Sequence, residues 1–378
     1  MIVHFTTVHP RTDTRIRVKE VATLARHLDE DVQLFVQDGL GDEVDPKDGF
    51  LIIDTGPRLK GRLARMTLGA WRMYRAVRCA HPSIAHFHDP ELLPWGLLLR
   101  VEGIRVVYDV HEDLPRQIHH KIYIPRFLRS VLGSLIGWME ALAARGVCAR
   151  VVVIPEQLPR FPARNTVLVA NFPKLDEFPK PSSQFANDTP LTFVYVGGIS
   201  IARGALQMVH AAGEIREQGA SVSLLGPFTT PGLESRLSSM PAWDHVDYQG
   251  VASREQVTKA LSDSYAGLVL LHPSPQYKTA YPVKLFEYMA SGLPVIASDL
   301  PLMRKIVNEH RCGLLVDPID LGAIVESMKW LLAHPEEARA MGLRGRLAVE
   351  TMYNWKPEAA KLLALYRQLL RSQASDLA

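Results

Sequence analysis

Arg203, Lys284 and Glu287 stand in stretches that are otherwise apolar or glycine-rich, and these residue types suit anion and hydroxyl chemistry. Lys284 and Glu287 lie three apart in YPVKLFEYMASGLPVIAS, residues 281–298. Pro282 suits a first helical position, Gly292 suits the left-handed residue after a helix end, and Pro294 prevents continuation, so the helix is short. On it Val283, Phe286 and Ala290 share one side, while Lys284, Glu287 and Ser291 share another. One side packs; the other carries chemistry or a salt bridge. A lysine near a helix N-terminus can neutralise a diphosphate, and an acid one turn later can accept hydrogen bonds from a ribose diol. The plainer alternative is an exposed i,i+3 ion pair, worth roughly 0.2–0.5 kcal/mol.

Arg203 belongs to TFVYVGGISIARGALQMV, where a strand runs into Gly197 and Gly198 and a helix starts near Gly204. Glycines there let backbone amides approach an anion, and Arg203 can fork onto phosphate oxygens. A Gly-Gly pair after a strand is equally an ordinary tight turn. The spacing is not the GxGxxG of a dinucleotide site, which argues against nicotinamide or flavin. A third set lies at strand ends in the first half: HPRTDTR with Asp13 and Arg15, HFHDPELL with His88 and Asp89, and YDVHEDLP with His111 and Glu112. The mouth of a parallel sheet is where such residues form sites, so His88, Asp89, His111 and Glu112 are expected there and His86 in the core. No HExxH motif or tight His/Cys cluster appears, so a metal is not expected.

The elements that must position these residues alternate between strand and helix. IVHFTT, VQLFVQ, LIIDT, IAHFHD, RVVYDV, VVVIP and TVLVAN alternate with helical stretches, as in a parallel sheet wrapped by helices. The run NFPKLDEFPKPSSQFANDTP, residues 171–190, breaks the pattern and reads as a linker. Alternation resumes with TFVYVGG, SVSLLG, VDYQG, GLVLLH, PVIAS and GLLVDP, and the tail is helical. The expected layout is α/β, with two Rossmann-like doubly wound domains facing each other across a cleft. Residues 1–172 form the first, 173–190 the linker, 191–355 the second, and 356–378 a helix crossing back onto the first.

Composition narrows the class. A chain of 378 residues exceeds what one core usually serves, and 47% apolar with 22% charged residues is ordinary for globular proteins. Three scattered cysteines, Cys79, Cys148 and Cys312, argue for a reducing cytosol and against disulfides or structural zinc. A net charge of +3 is too small to suggest nucleic acid. Residues 56–82, however, hold seven basic residues from Arg58 to Arg78 and no acid, interleaved with Leu63, Met66, Trp71 and Tyr74. Residues 119–146 form a second basic-apolar stretch. Both are candidate contacts for an anionic membrane surface, or else surface helices packing their apolar stripe on the sheet. With no signal peptide or apolar run of spanning length, the expected location is cytoplasmic, peripheral on the inner face of the plasma membrane.

Taken in order, VGG…ARG, PVKLFEYMASGLPV, YDVHE and the NFP before the linker resemble the retaining GT-B glycosyltransferases of family 4, in the form seen in bacterial polysaccharide-assembly enzymes. The resemblance covers nearly the whole chain. It implies a nucleotide-sugar donor on the second domain, bound by Gly197, Gly198, Arg203, Tyr281, Lys284 and Glu287, with Glu287 on the ribose hydroxyls and Arg203 on the diphosphate. It implies catalytic roles for His111, near the donor sugar, and for Arg203 and Lys284. Asp13, Arg15, His88, Asp89 and Glu112 fall on the acceptor side. The sequence departs from the family in one place: where members often carry a first glutamate, eight positions before Glu287, it has Thr279.

The reaction implied is transfer of a sugar, from a UDP-sugar in the first instance, to a glycan or lipid-linked acceptor in surface polysaccharide biosynthesis. Configuration is retained and no metal or cofactor takes part. Charge developing on the leaving diphosphate is the main electrostatic demand, and Arg203 and Lys284 would meet it. Two other readings remain open: a UDP-sugar 2-epimerase of the same architecture, and a non-catalytic partner subunit with Thr279 as a sign of decay.

Overall fold

The computed structural model describes residues 1–110, 125–181, 191–275, 277–278 and 281–376. The chain folds into two compact α/β units, Met1–Asn171 with Trp355–Ala378, and Phe172–Asn354.

The first unit is built on an eight-stranded sheet. Its strands are β1 (Ile2–Phe5), β2 (Val32–Val36), β3 (Glu43–Val44), β4 (Leu51–Asp54), β5 (Ile84–Phe87), β6 (Arg105–Val110), β7 (Ala149–Val152) and β8 (Thr166–Leu168). Their order is β3-β4-β2-β1-β5-β6-β7-β8, parallel except for β3 against β4. Strands covered on both faces are largely apolar, and every residue of β1, β5 and β7 is buried, including the polar His4, His86 and Arg150. On one face pack the Ala70–Ala80 and Leu93–Val101 helices, through Met73, Val77 and Leu99. The opposite face is covered in part by the Trp355–Asp376 helix. Its Trp355, Leu362, Tyr366 and Leu369 join Ile2, Leu34 and Val151 in one core. The terminal helix thus packs on the first unit.

The second unit carries six parallel strands, β9 (Thr192–Val196), β10 (Ser221–Leu225), β11 (Val246–Gly250), β12 (Ala266–Val269), β13 (Val295–Ser298) and β14 (Gly313–Val316), in the order β11-β10-β9-β12-β13-β14. The order reverses between β9 and β12. In open α/β sheets ligands bind beyond the strand carboxyl ends at such a switch point, and the Gly197-Gly198 turn follows β9. The first sheet has its own switch between β1 and β5.

Composition made residues 171–190 look like a loose linker. Residues 182–190 lie outside the described part, but the preceding stretch is packed: Phe172 and Phe178 are buried within the second unit, and Leu175–Glu177 form a 3-10 turn. Two aromatic anchors outweigh the prolines around them.

Candidate donor site on the second unit

The Val283–Ala290 helix is short for the expected reasons. Pro282 sits at its N-cap and Gly292 takes φ +74° just beyond its end. Its packing is tighter than a two-sided pattern: every residue from Leu285 to Ala290 is buried, Glu287 included. Tyr288 fixes its position. The ring lies against Gly267 of β12, where any Cβ would meet it at 2.2 Å, and its hydroxyl accepts a hydrogen bond from the Val196 amide at 2.9 Å. The helix is thereby pinned to the end of β9, with Lys284 one turn earlier and beside the glycine turn.

There Lys284 Nζ is buried, donates no hydrogen bond to any described residue, and lies 3.7 Å from the centroid of the Tyr195 ring. Burial pushes its pKa well below the ordinary lysine value, and the nearby Arg203 adds to the shift while Glu287 opposes it. Gly197 has φ +119°, and a Cβ there would stand 3.4 Å from the ammonium nitrogen, so backbone strain and proximity both favour glycine. Arg203, closing the Ile201–Arg203 turn, donates from Nη1 to the Gly198 carbonyl at 3.1 Å and from Nε to the Tyr277 hydroxyl at 3.4 Å. The Gly198 carbonyl also accepts from Tyr195, whose hydroxyl burial pushes up to about 12. Two basic groups thus converge on one glycine turn, and neither pairs with a carboxylate among the described residues, an arrangement an anion would stabilise.

The ion-pair reading of Lys284 and Glu287 does not match the geometry, because the two do not pair with each other. Glu287 Oε1 accepts from Arg254 Nη1 at 2.7 Å, and Arg254 Nη2 reaches Glu177 at 2.7 Å. Tyr281 packs edge-on to Phe172 and Phe286. Thr279 lies outside the described residues.

In the first unit the structure corrects the expected exposure. His88 and Asp89 are buried, not at a mouth, and so is Arg15. A chain of contacts runs from Asp109 through His88 (3.2 Å), His4 (3.0 Å) and Tyr366 (2.9 Å) to His86 (2.7 Å), with Arg15 forking onto Asp109. Parallel neighbouring strands bring these rings side by side, since His4 and His86 stand directly opposite in register. His86 is a core residue, as expected. Asp89 accepts from the Thr7 amide at 2.6 Å and the Thr6 hydroxyl at 2.8 Å, and burial raises its pKa. Asp13 accepts from the Arg15 and Ile16 amides, opening the next helical turn. His9 joins Asp13 (3.1 Å) and Asp89 (3.6 Å) at the β1–β5 switch. His111 and Glu112 lie outside the described residues.

Residues 176–348 match the family model of the glycosyl transferases group 1. The comparisons support a GT-B glycosyltransferase. Among solved structures, Alr3699/HepE of Anabaena in complex with UDP-glucose is 12% identical with a TM-score of 0.69, the match covering 99% of each chain. D-rhamnosyltransferase WbpZ of Pseudomonas aeruginosa is 24% identical over 294 residues, 73% of this chain and 71% of that protein. MMP alpha-(1->4)-mannosyltransferase of Mycolicibacterium hassiacum is 24% identical over 176 residues, 46% of this chain and 42% of that protein, so that match spans less than half of it.

Set on this GT-B frame, the group 1 match spans the turn and helix that carry Gly197, Arg203, Lys284 and Glu287. Sequence reasoning missed Tyr195, Tyr277, Arg254 and His9. Tyr195 looks like any strand residue, and Arg254 and Tyr277 sit far along the chain from the groups they touch. His9 lies within HPRTDTR four residues before its partner Asp13, but its second carboxylate, Asp89, is brought in by β5.

The two basic-apolar stretches differ in three dimensions. In residues 62–80, Arg65 pairs with Glu91 and Arg78 with Glu102, while Leu63, Leu68 and Trp71 are exposed. The Arg126–Ala143 helix exposes Leu128, Val131, Leu135, Trp138, Met139 and Leu142 along one side. Its one acid, Glu140, is buried against Tyr108 at 2.6 Å and against Arg160. No helix among the described residues is long and apolar enough to cross a membrane.

Proposed function

We propose that the chain is a retaining glycosyltransferase of family 4 that moves a sugar from a nucleotide-sugar, a UDP-sugar in the first instance, to a glycan or lipid-linked acceptor in surface polysaccharide assembly. The observation that carries the donor reading is the buried Lys284 ammonium, without a hydrogen bond, facing the Gly197 turn beside Arg203. A diphosphate would supply the missing acceptor oxygens and the missing negative charge together. In the reaction the bond from the anomeric carbon to the diphosphate breaks and one to the acceptor oxygen forms on the same face. The acceptor's proton passes to the leaving phosphate. Arg203 and Lys284 stabilise the charge that develops on the diphosphate, which is why no metal is assigned to the step. Glu287 receives the ribose hydroxyls through the oxygen that Arg254 leaves open, and His111 is assigned to the donor sugar.

For the acceptor side, His9 contacts both Asp13 and the buried Asp89, which favours these groups over Arg15 and His88, both engaged by Asp109, and Glu112 keeps its assignment. The acid-free, apolar side of the Arg126–Ala143 helix supports a working location on an anionic membrane surface, the cytoplasmic face.

The test is a mass-spectrometric screen of nucleotide-sugars for UDP or GDP release, with and without a lipid-linked oligosaccharide extract, comparing wild type with Glu287→Ala. Release that requires both the extract and Glu287 is the expected result. Turnover without any acceptor would favour the 2-epimerase, and tight nucleotide binding with no release would favour a non-catalytic subunit. An anomeric coupling in the product opposite to the donor's would overturn retention.

A further inference from the structure

Arg254 is separated from the Val283–Ala290 helix by β12 and the loop after it, yet its guanidinium is divided between two carboxylates of that neighbourhood. Nη1 holds Glu287 Oε1 at 2.7 Å, and Nε and Nη2 hold Glu177 Oε2 at 2.8 and 2.7 Å. The guanidinium carbon also stands 5.2 Å from the Phe178 ring centroid. The base of this arrangement is rigid. Ser253 N-caps the Arg254–Ser262 helix through a reciprocal capping box with Gln256, which fixes the backbone from which Arg254 projects. Glu177 and Phe178 are held in turn, because Arg346 donates to the Phe178 carbonyl at 3.0 Å while packing in the buried core.

A single guanidinium between two carboxylates leaves one net negative charge, and it has a direction. Glu287 Oε1 is consumed by Arg254, whereas Oε2 takes no hydrogen bond from any described residue. We propose that Arg254, braced by Glu177 and Phe178, is the positioning residue that presents Glu287 Oε2 to the donor's hydroxyl pair. It fixes the rotamer and leaves one oxygen for the ligand. This rests on the reading of Glu287 as the group that binds the ribose hydroxyls. Lysine cannot replace the fork, since a point charge can reach one carboxylate well but not hold two in fixed directions.

The experiment is calorimetric titration of the whole protein with UDP and with 2′-deoxy-UDP, and with the GDP pair should guanosine nucleotides bind better. The readout is the ratio of the two affinities. Wild type should prefer the ribonucleotide by about tenfold, the worth of a hydrogen bond to a charged group. Glu287→Gln and Arg254→Gln should each lower that ratio severalfold, the double variant no further than either single one, and Arg254→Lys should restore part of it. A thermal melt of each variant identifies any that fails to fold, and Glu177→Gln then provides a gentler perturbation of the same guanidinium.

Equal losses for UDP and 2′-deoxy-UDP in Arg254→Gln, or losses that add in the double variant, would overturn the assignment of Arg254 and leave the donor reading standing. An unchanged ratio in Glu287→Gln would overturn both.

Discussion

Lys284 and Tyr195 share a buried contact, with the ammonium nitrogen 3.7 Å from the ring centroid and no hydrogen bond to any described residue. A π face can attract a cation but cannot replace the three hydrogen bonds an ammonium makes in water. The contact therefore leaves the ammonium's hydrogen-bonding capacity unused, which suits Lys284 to an anion.

A proton should enter with the nucleotide. Burial and Arg203 hold the Lys284 pKa well below its ordinary value, and a diphosphate would raise it again. With the bound pKa above the free one, affinity must rise as pH falls through the interval between the two and level off below it. UDP titrations in buffers of different ionisation enthalpy should show net proton uptake in that interval. Lys284→Met should abolish the uptake and weaken binding about tenfold or more. Uptake that persists in the methionine variant would place the titrating group elsewhere.

Gly197→Ala should damage binding beyond its effect on folding. The position has φ +119°, and the added methyl would press toward Lys284 Nζ at 3.4 Å. Backbone strain predicts a stability loss of about 1 kcal/mol or somewhat more. Proximity to the cation predicts a separate, severalfold loss of UDP affinity in protein that remains folded. Melting and titration of the same sample separate the two effects.

The fold was readable from the sequence because it rests on local patterns. Apolar β-branched runs separated by helical stretches announce a parallel sheet, and the proline and glycine at the ends of the Val283–Ala290 helix set its length. Lys284 and Arg203 could be noticed because charge is unusual beside a glycine turn. Their surroundings could not, since the Tyr288 hydroxyl, the Tyr195 ring and the Arg254 fork are brought in from other strands and helices. Burial misled most in the first unit. His88 and Arg15 look like surface chemistry in one dimension, but Asp109, His4 and Tyr366 satisfy them inside the core.

That buried network should respond to small deletions. Tyr366→Phe removes one hydroxyl that bridges His4 and His86, and the expected loss is about 1–3 kcal/mol in denaturant unfolding. Glu20, buried against Arg15, gives a pH signature. Desolvation raises its pKa well above the ordinary value of 4.5, so the native chain keeps a proton that the unfolded chain releases. Stability from this group is complete below about pH 4.5 and is lost as pH rises through the native value. Glu20→Gln should flatten that slope in an unfolding series, and an unchanged slope would show that the carboxyl is ionised in the native state.

The Arg126–Ala143 helix offers the last test. Six large apolar side chains from Leu128 to Leu142 are exposed along four turns, and the helix's single acid is buried against Tyr108. In water such a surface costs free energy, whereas at an anionic bilayer interface its apolar side would enter the acyl boundary and nearby basic residues would meet lipid phosphates. Each basic residue near an anionic surface contributes about 1 kcal/mol, and salt weakens that share. The chain should therefore co-sediment with phosphatidylglycerol vesicles, less with phosphatidylcholine vesicles, and release as salt is raised. Trp138→Glu with Leu135→Glu should cut binding at least tenfold while nucleotide affinity, which we assign to the second unit, stays unchanged. Equal sedimentation of wild type and the double variant would remove this helix as the contact, and equal binding to both lipids would remove the electrostatic half of the argument.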